Sequence, residues 1–343
     1  MTQPMMPSAA TAFVRKSYGG WAGETAGLVG VELRLMRRRL MSKMLLGILV
    51  VGFALIVGFQ VFTYILISGP VGATSSCAPA SRSNGQVTAT ACTPAQQQAS
   101  KALQAEVIAS ERAALTFPTV VSSARSFALF MGVILLCILV GTVAGSEFSY
   151  GTRRLVLMRG ASHPQVLTAQ AVAFAVVALL TAAVTVLLSM LAGVTVGPAI
   201  GGTVSALTAG GWSEVTLYWL LISLTLFAYM LIALFLATLG RSSAAGIGGA
   251  LGFFLVQGIL GGVVRIIPGD VGRWLSNALY GMLGQASTVV IDSISQMPVA
   301  ITRAEAAAGA PISGGVALLI VVGWCAALLV GTFLLLRLRD VTE

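Results

Sequence analysis

What most constrains this chain is a set of long apolar runs almost free of charged residues. Crossing roughly 30 Å of hydrocarbon takes about 20 apolar residues in a helix. Six runs reach that length: Met44 to Ile67, Ser126 to Ser146, Val166 to Val196, Val215 to Leu239, Ala244 to Ile266 and Gly314 to Leu336. The expected fold is therefore all-α, a polytopic membrane protein with six transmembrane helices. Composition agrees, since 57% of residues are hydrophobic, above the roughly 45–50% of a soluble globular chain.

Charged residues make up only 9% of the chain, yet its formal net charge is +9. Scarce, mostly cationic charges in such a chain report orientation in the membrane rather than nucleic-acid binding. With six spans and both termini inside, the inner parts carry Arg15, Lys16, Arg34, Arg37, Arg38, Arg39, Lys43, Arg153, Arg154, Arg159, Arg241, Arg337 and Arg339. The remaining basic residues are spread over two long outer segments, where they weigh less in topology. Basic clusters flank both the first and the last span, which supports an even number of crossings. The first forty residues lack a compact apolar core of the secretory-signal type, so the first span is expected to serve as an uncleaved signal. Arginine far outnumbers lysine and Ala, Gly and Val abound, which points to a GC-rich, bacterial source and a bacterial inner membrane.

Between the spans, the expected parts are an inner N-terminus (1–43), an outer segment with a small lobe (68–125), an inner segment (147–165), a second outer segment (267–313) and an inner tail (337–343). Gly27 to Lys43 reads as an interfacial helix, with Leu28, Val31 and Leu35 as its apolar stripe. Arg34, Arg37 and Arg38 lie off that stripe, where anionic lipid headgroups would hold them. In the first outer segment Gln96 to Leu115 reads as a helix striped by Leu103, Val107 and Ile108. Cys77 and Cys92 lie in its Ser-, Thr- and Pro-rich part, where a disulfide is chemically permitted. Cys137 and Cys325 fall inside spans and read as buried thiols. The second outer segment is expected to form short interfacial or re-entrant helices, not a seventh span. The fifth span carries Gly248-x-x-x-Gly252 and Gly258-x-x-x-Gly262, a spacing that serves either packing within the chain or an interface with a second subunit.

The search for catalytic chemistry is largely negative. His163 is the one histidine, no C-x-x-C occurs, and there is no G-x-x-x-x-G-K-[ST] sequence to cradle ATP phosphates. No metal or cofactor site is expected on this chain, and no enzymatic activity of its own. Ion-coupled carriers keep ionisable groups near the membrane midplane. Here Glu147 and Arg265 sit at span ends, and the polar residues deeper inside include the uncharged Gln60, Gln170 and Gln257, which can bond across helices. Energy for any transport is thus expected from a partner.

The inner segment that begins at Glu147 continues Phe-Ser-Tyr-Gly-Thr-Arg-Arg-Leu-Val-Leu-Met-Arg. A Glu closing the second span, then a Gly-Thr pair and a basic, apolar short helix before the third, resembles the membrane subunits of ABC-2 type exporters. The matching positions are Glu147, Gly151, Thr152, Arg154, Leu155 and Leu157. The sequence departs from that pattern at His163-Pro164 and Gln170, where the family often carries an Arg and a Lys. The resemblance implies a type V exporter-like transmembrane domain and a dimer of permease protomers, identical or not. It also implies separate ATPase subunits that bind ATP and Mg and engage the inner segment through Glu147, Gly151, Thr152, Arg153, Arg154, Leu155 and Leu157. Export of an amphipathic or hydrophobic cargo (drug, peptide, lipid or glycan) is the function it implies. Glu147 is expected either to pair with a neighbouring arginine or to meet the partner. Two other readings stay open: a membrane interaction or assembly protein that uses its outer segment, and a secondary transporter.

Overall fold

The computed structural model describes residues 20–38, 40–68, 82–83, 86–87, 94–117, 119–149, 162–201, 209–264, 266–267, 269–294 and 312–339. Helices dominate: α1 (Gly20–Arg38), α2 (Leu40–Ser68), α3 (Pro94–Leu115), α4 (Val121–Phe127), α5 (Val133–Ser149), α6 (His163–Ala199), α7 (Ala209–Gly240), α8 (Ser243–Val264), α9 (Asp270–Leu279), α10 (Leu283–Ile294) and α11 (Gly314–Arg339). One π turn, Ala128–Gly132, joins α4 to α5 within the second span. A two-residue antiparallel ladder pairs Arg82 with Val87 and Ser83 with Gln86. In sequence the pair is separated by Asn84-Gly85, the dipeptide that most favours a two-residue hairpin loop.

Six helices are long and apolar enough to cross a membrane: Lys43–Ser68, Ala124–Glu147, Pro164–Ala199, Gly211–Gly240, Ser243–Val264 and Gly314–Leu338. The protein is a multi-pass membrane protein. Its fifth span is described as far as Val264, and Arg265 lies outside the described residues. Burial is uneven and fixes the arrangement. The second and fourth spans are 67% and 72% buried, whereas the first, fifth and sixth are only 17–22% buried. The fourth span, α7, is the axis of the bundle, packed against α5, α6, α8, α10 and α11. Tyr218, Ile222, Leu226, Met230 and Leu234 of α7 are almost fully enclosed.

The tightest crossing joins α5 to α8. A Cβ on Gly141 would lie 2.6 Å from Ile247 Cγ1 and 2.8 Å from the Ile247 backbone N, and one on Gly246 would lie 3.1 Å from the Gly141 Cα. One turn along α5, Gly145 abuts Ser243. Gly141-x-x-x-Gly145 is thus the spacing that lets these two backbones touch. By contrast Gly248, Gly252, Gly258 and Gly262 meet nothing within 4 Å among the described residues.

Helix α6 begins with Ser162, whose backbone N–H donates to Gln165 Oε1 at 2.8 Å, and with Pro164 in the first turn. Both are start signals. Helix α1 packs on α6 and α2. Met36 is buried and Leu33 packs on the core, while Val31 is 53% exposed. Arg34 is exposed, and the side chains of Leu35, Arg37 and Arg38 lie outside those described. Helix α3 rests against α2 and α6. It buries Leu115, yet leaves Leu103 and Val107 exposed.

Between α8 and α11 the chain folds back into the bundle. Trp324 Nε1 donates to the Gly281 carbonyl at 3.0 Å, and Trp324 lies about 15 Å along α11 from Gly314 at 1.5 Å per residue. The turn between α9 and α10 therefore lies level with the middle of the sixth span, and α9–α10 is a helical hairpin folded back against the spans. At its return, Asp292 pairs with Arg125 at the start of the second span. Gly141→Ala should destabilise the protein by about 1–3 kcal/mol, because the clash is with backbone that cannot yield. Gly248→Ala should be near neutral. Thermal unfolding of the two variants in the same detergent checks the contrast.

Candidate functional site

A helix that starts in hydrocarbon leaves backbone N–H groups without intrahelical partners or water. Helix α10 meets this demand through another helix. Gly284 N–H donates to Gln257 Oε1 of α8 at 3.0 Å, and the Tyr229 hydroxyl of α7 donates to the same oxygen at 2.9 Å. Gly284 is needed there, since a Cβ would lie 2.5 Å from Gln257 Oε1 and 3.1 Å from the Tyr229 hydroxyl. Three elements are thus tied at one buried amide.

Beside that amide is a cleft of about 410 Å³. Ser126, Leu129 and Phe130 line it from the second span, Phe254, Leu255 and Ile259 from α8, and Gln285 and Thr288 from α10. The π turn Ala128–Gly132 provides Leu129 and Phe130, and such irregular turns often accompany functional positions. Phe254 stacks edge-on against Tyr229, with centroids 5.7 Å apart, and tilts against Phe130 at 6.2 Å. Phe130, Leu255 and Ile259 are each more than half exposed at the rim, so the cleft opens sideways from the bundle. None of the lining residues is ionisable at neutral pH.

The sequence reading drew attention elsewhere. Glu147 ends the second span as expected, and both its carboxylate oxygens accept from Gln170 Nε2 at 2.7 Å. Gln170 is 1% exposed, so this contact anchors the start of the third span to the end of the second. Gly151, Thr152, Arg153, Arg154, Leu155 and Leu157 lie outside the described residues, as do Cys77 and Cys92. Cys137 and Cys325 are free, buried thiols. Among the described residues no group of three His, Cys, Asp or Glu side chains could hold a metal ion. Gln257 had been noted only as one of three uncharged glutamines. Its signal was depth in the fifth span, but the partners Tyr229 and Gly284 are too distant in sequence to be read from it.

The fold and the cleft define a multi-pass membrane protein with a laterally open, uncharged cleft against a helical hairpin. By sequence the chain belongs to the family DUF2705, described as a protein of unknown function, whose match covers residues 100–271, half of the chain. That stretch includes Tyr229 and Gln257 but stops short of α10. No curated protein matches the chain, and no solved structure does either.

Tyr229→Phe removes one of the two donors to Gln257 and should cost about 1 kcal/mol. Gln257→Leu leaves the Gly284 N–H without its acceptor and should cost more, about 1–3 kcal/mol. Detergent melts of the two variants beside the unmodified chain give the ranking.

Proposed function

We propose that this chain is the permease subunit of an ATP-driven exporter of the ABC-2 type, which moves amphipathic or hydrophobic cargo and takes its energy from separate ATPase subunits. The observation that carries the reading is the cleft, uncharged and open sideways between the second and fifth spans. Such a site suits cargo that arrives dissolved in the bilayer, and it provides no group to take up a driving proton or ion. Energy then enters through another chain, and the Glu147 segment is the place for it. The Glu147–Gln170 contact supports this role, because a push on that segment would be passed to the third span rather than absorbed by a slack loop.

In this reading two protomers assemble in a bacterial inner membrane with both termini inside. Arg153, Arg154 and Leu155 engage the ATPase, with ATP and Mg held on that partner. An open face of α8 supports a second protomer: Gly248, Gly252 and Gly262 meet nothing within 4 Å among the described residues, beside exposed Val256 and Val263. Small residues on an open face let a second backbone come close. The rival reading, an interaction or assembly protein without a transport cycle, draws support from the exposed Leu103 and Val107 on α3.

The test is purification of the tagged chain from its native membrane in mild detergent, with mass spectrometry of its companions and an assay of vanadate-sensitive ATP hydrolysis. A copurifying ATPase that is lost when Arg153, Arg154 and Leu155 are changed to Ala is the expected result. A chain isolated without an ATPase, under conditions that keep a known complex of this kind intact, contradicts it. Gly248→Leu with Gly252→Leu should convert dimer to monomer, as read by light scattering, without lowering the melting temperature.

A further inference from the structure

The amide of Gln257 does more than cap α10 requires. Capping Gly284 takes only an acceptor oxygen. That oxygen already receives two hydrogen bonds, from the Gly284 N–H at 3.0 Å and the Tyr229 hydroxyl at 2.9 Å, which fills its two lone pairs. The amide cannot be turned round, because its NH2 would then face the Gly284 N–H, donor against donor. Its orientation is therefore fixed by the backbone of α10. What remains is Nε2, a buried donor with no partner among the described residues, on a side chain only 5% exposed that lines the cleft. Buried polar groups in folded proteins are nearly always paired, and one that is not needs a reason.

We propose that the cleft is a binding site for an uncharged, lipid-soluble ligand whose aromatic or aliphatic body carries a hydrogen-bond-accepting oxygen, such as a ketone, ester or ether, and that Gln257 Nε2 is the donor to that oxygen. The inference deepens the exporter reading, on which it rests for its meaning as a cargo site. The rest of the cleft fits the body of such a molecule. Phe130, Phe254 and Tyr229 form an aromatic wall, and Leu255 and Ile259 stand at a mouth that opens toward lipid. Its volume of about 410 Å³ lies within the roughly 300–1,000 Å³ of small-molecule sites. A charged ligand is excluded because nothing in the lining offsets the cost of stripping its water. The nitrogen is covered, so the ligand reaches it only as the cleft wall shifts, and binding and rearrangement are coupled.

The test is photolabelling of the purified chain in lipid nanodiscs with benzophenone, a diaryl ketone that inserts into neighbouring C–H bonds. Labelled residues are mapped by mass spectrometry. Competition compares dibenzyl ether with 1,3-diphenylpropane, which has a CH2 in place of the ether oxygen. Saturable labelling of Leu129, Leu255 or Ile259 is expected, with the ether competing about tenfold more tightly than the hydrocarbon, the worth of one buried hydrogen bond. Gln257→Leu should abolish that difference. If this variant elutes abnormally on gel filtration, the comparison of the two competitors on the unmodified chain decides alone. Equal competition overturns the proposal. So does the absence of saturable label in the cleft, including the case in which a second copy of the chain covers it. An ATPase partner that copurifies while the cleft fails to label leaves the exporter reading standing and removes only this inference. Ether-selective labelling with no ATPase partner does the reverse.

Discussion

Backbone that begins or ends a helix inside hydrocarbon must find its hydrogen-bond partners in the protein, since the bilayer has none to give. In this chain the demand falls on the turn between α9 and α10, and two side chains from flanking spans answer it. Gln257 accepts from the Gly284 N–H, and Trp324 donates to the Gly281 carbonyl. Those bonds hold the turn level with the middle of the sixth span and keep α10 against α11 and α7. The cleft exists because the hairpin is there: α10 forms one of its walls and α8 and the second span the others. The ion pair between Arg125 and Asp292 fastens the far end of α10 to the second span, so the hairpin is held at both ends.

Around this hairpin the packing follows from where side chains are absent. Gly141, Gly145 and Gly246 let α5 and α8 touch, which places the fifth span beside the second. The other face of α8 keeps its open glycines. One helix thus carries two glycine-rich faces with different fates, one buried inside the protomer and one left for the membrane or for another chain. Apolar burial gives little drive for helix association in lipid, so close backbone approach and interhelical hydrogen bonds carry more of the specificity than they would in water.

Much of the fold was legible in the sequence because the bilayer imposes a length. The six apolar runs and the six spans agree to within a few residues at each end. Short helices were expected in the second outer segment, and α9 and α10 are two of them. What could not be read is which face of a helix meets which neighbour. Composition along α8 marks many glycines alike, yet only contact with Gly141, Ala237 and Leu236 tells Gly246 and Gly249 from Gly248 and Gly252. On α1, likewise, Val31 is exposed and Met36 takes the buried position. The site was less legible still. Gln257 is one uncharged residue in an apolar run, and its importance arises from a glycine 27 residues on and a tyrosine 28 residues back.

The claim on which the rest depends is that residues 270–294 enter the membrane and leave by the same side. Single cysteines placed at Val271, Met282 and Asp292 in an otherwise cysteine-free chain, and exposed to a membrane-impermeant maleimide from one side and then the other, test it most directly. The account requires that positions 271 and 292 react from one and the same side and that position 282 reacts from neither. Reaction of 271 and 292 from opposite sides would make the segment a seventh crossing, and ready reaction of 282 would place the turn at the surface. Either result would leave Gln257 without the helix it caps and the cleft without its wall.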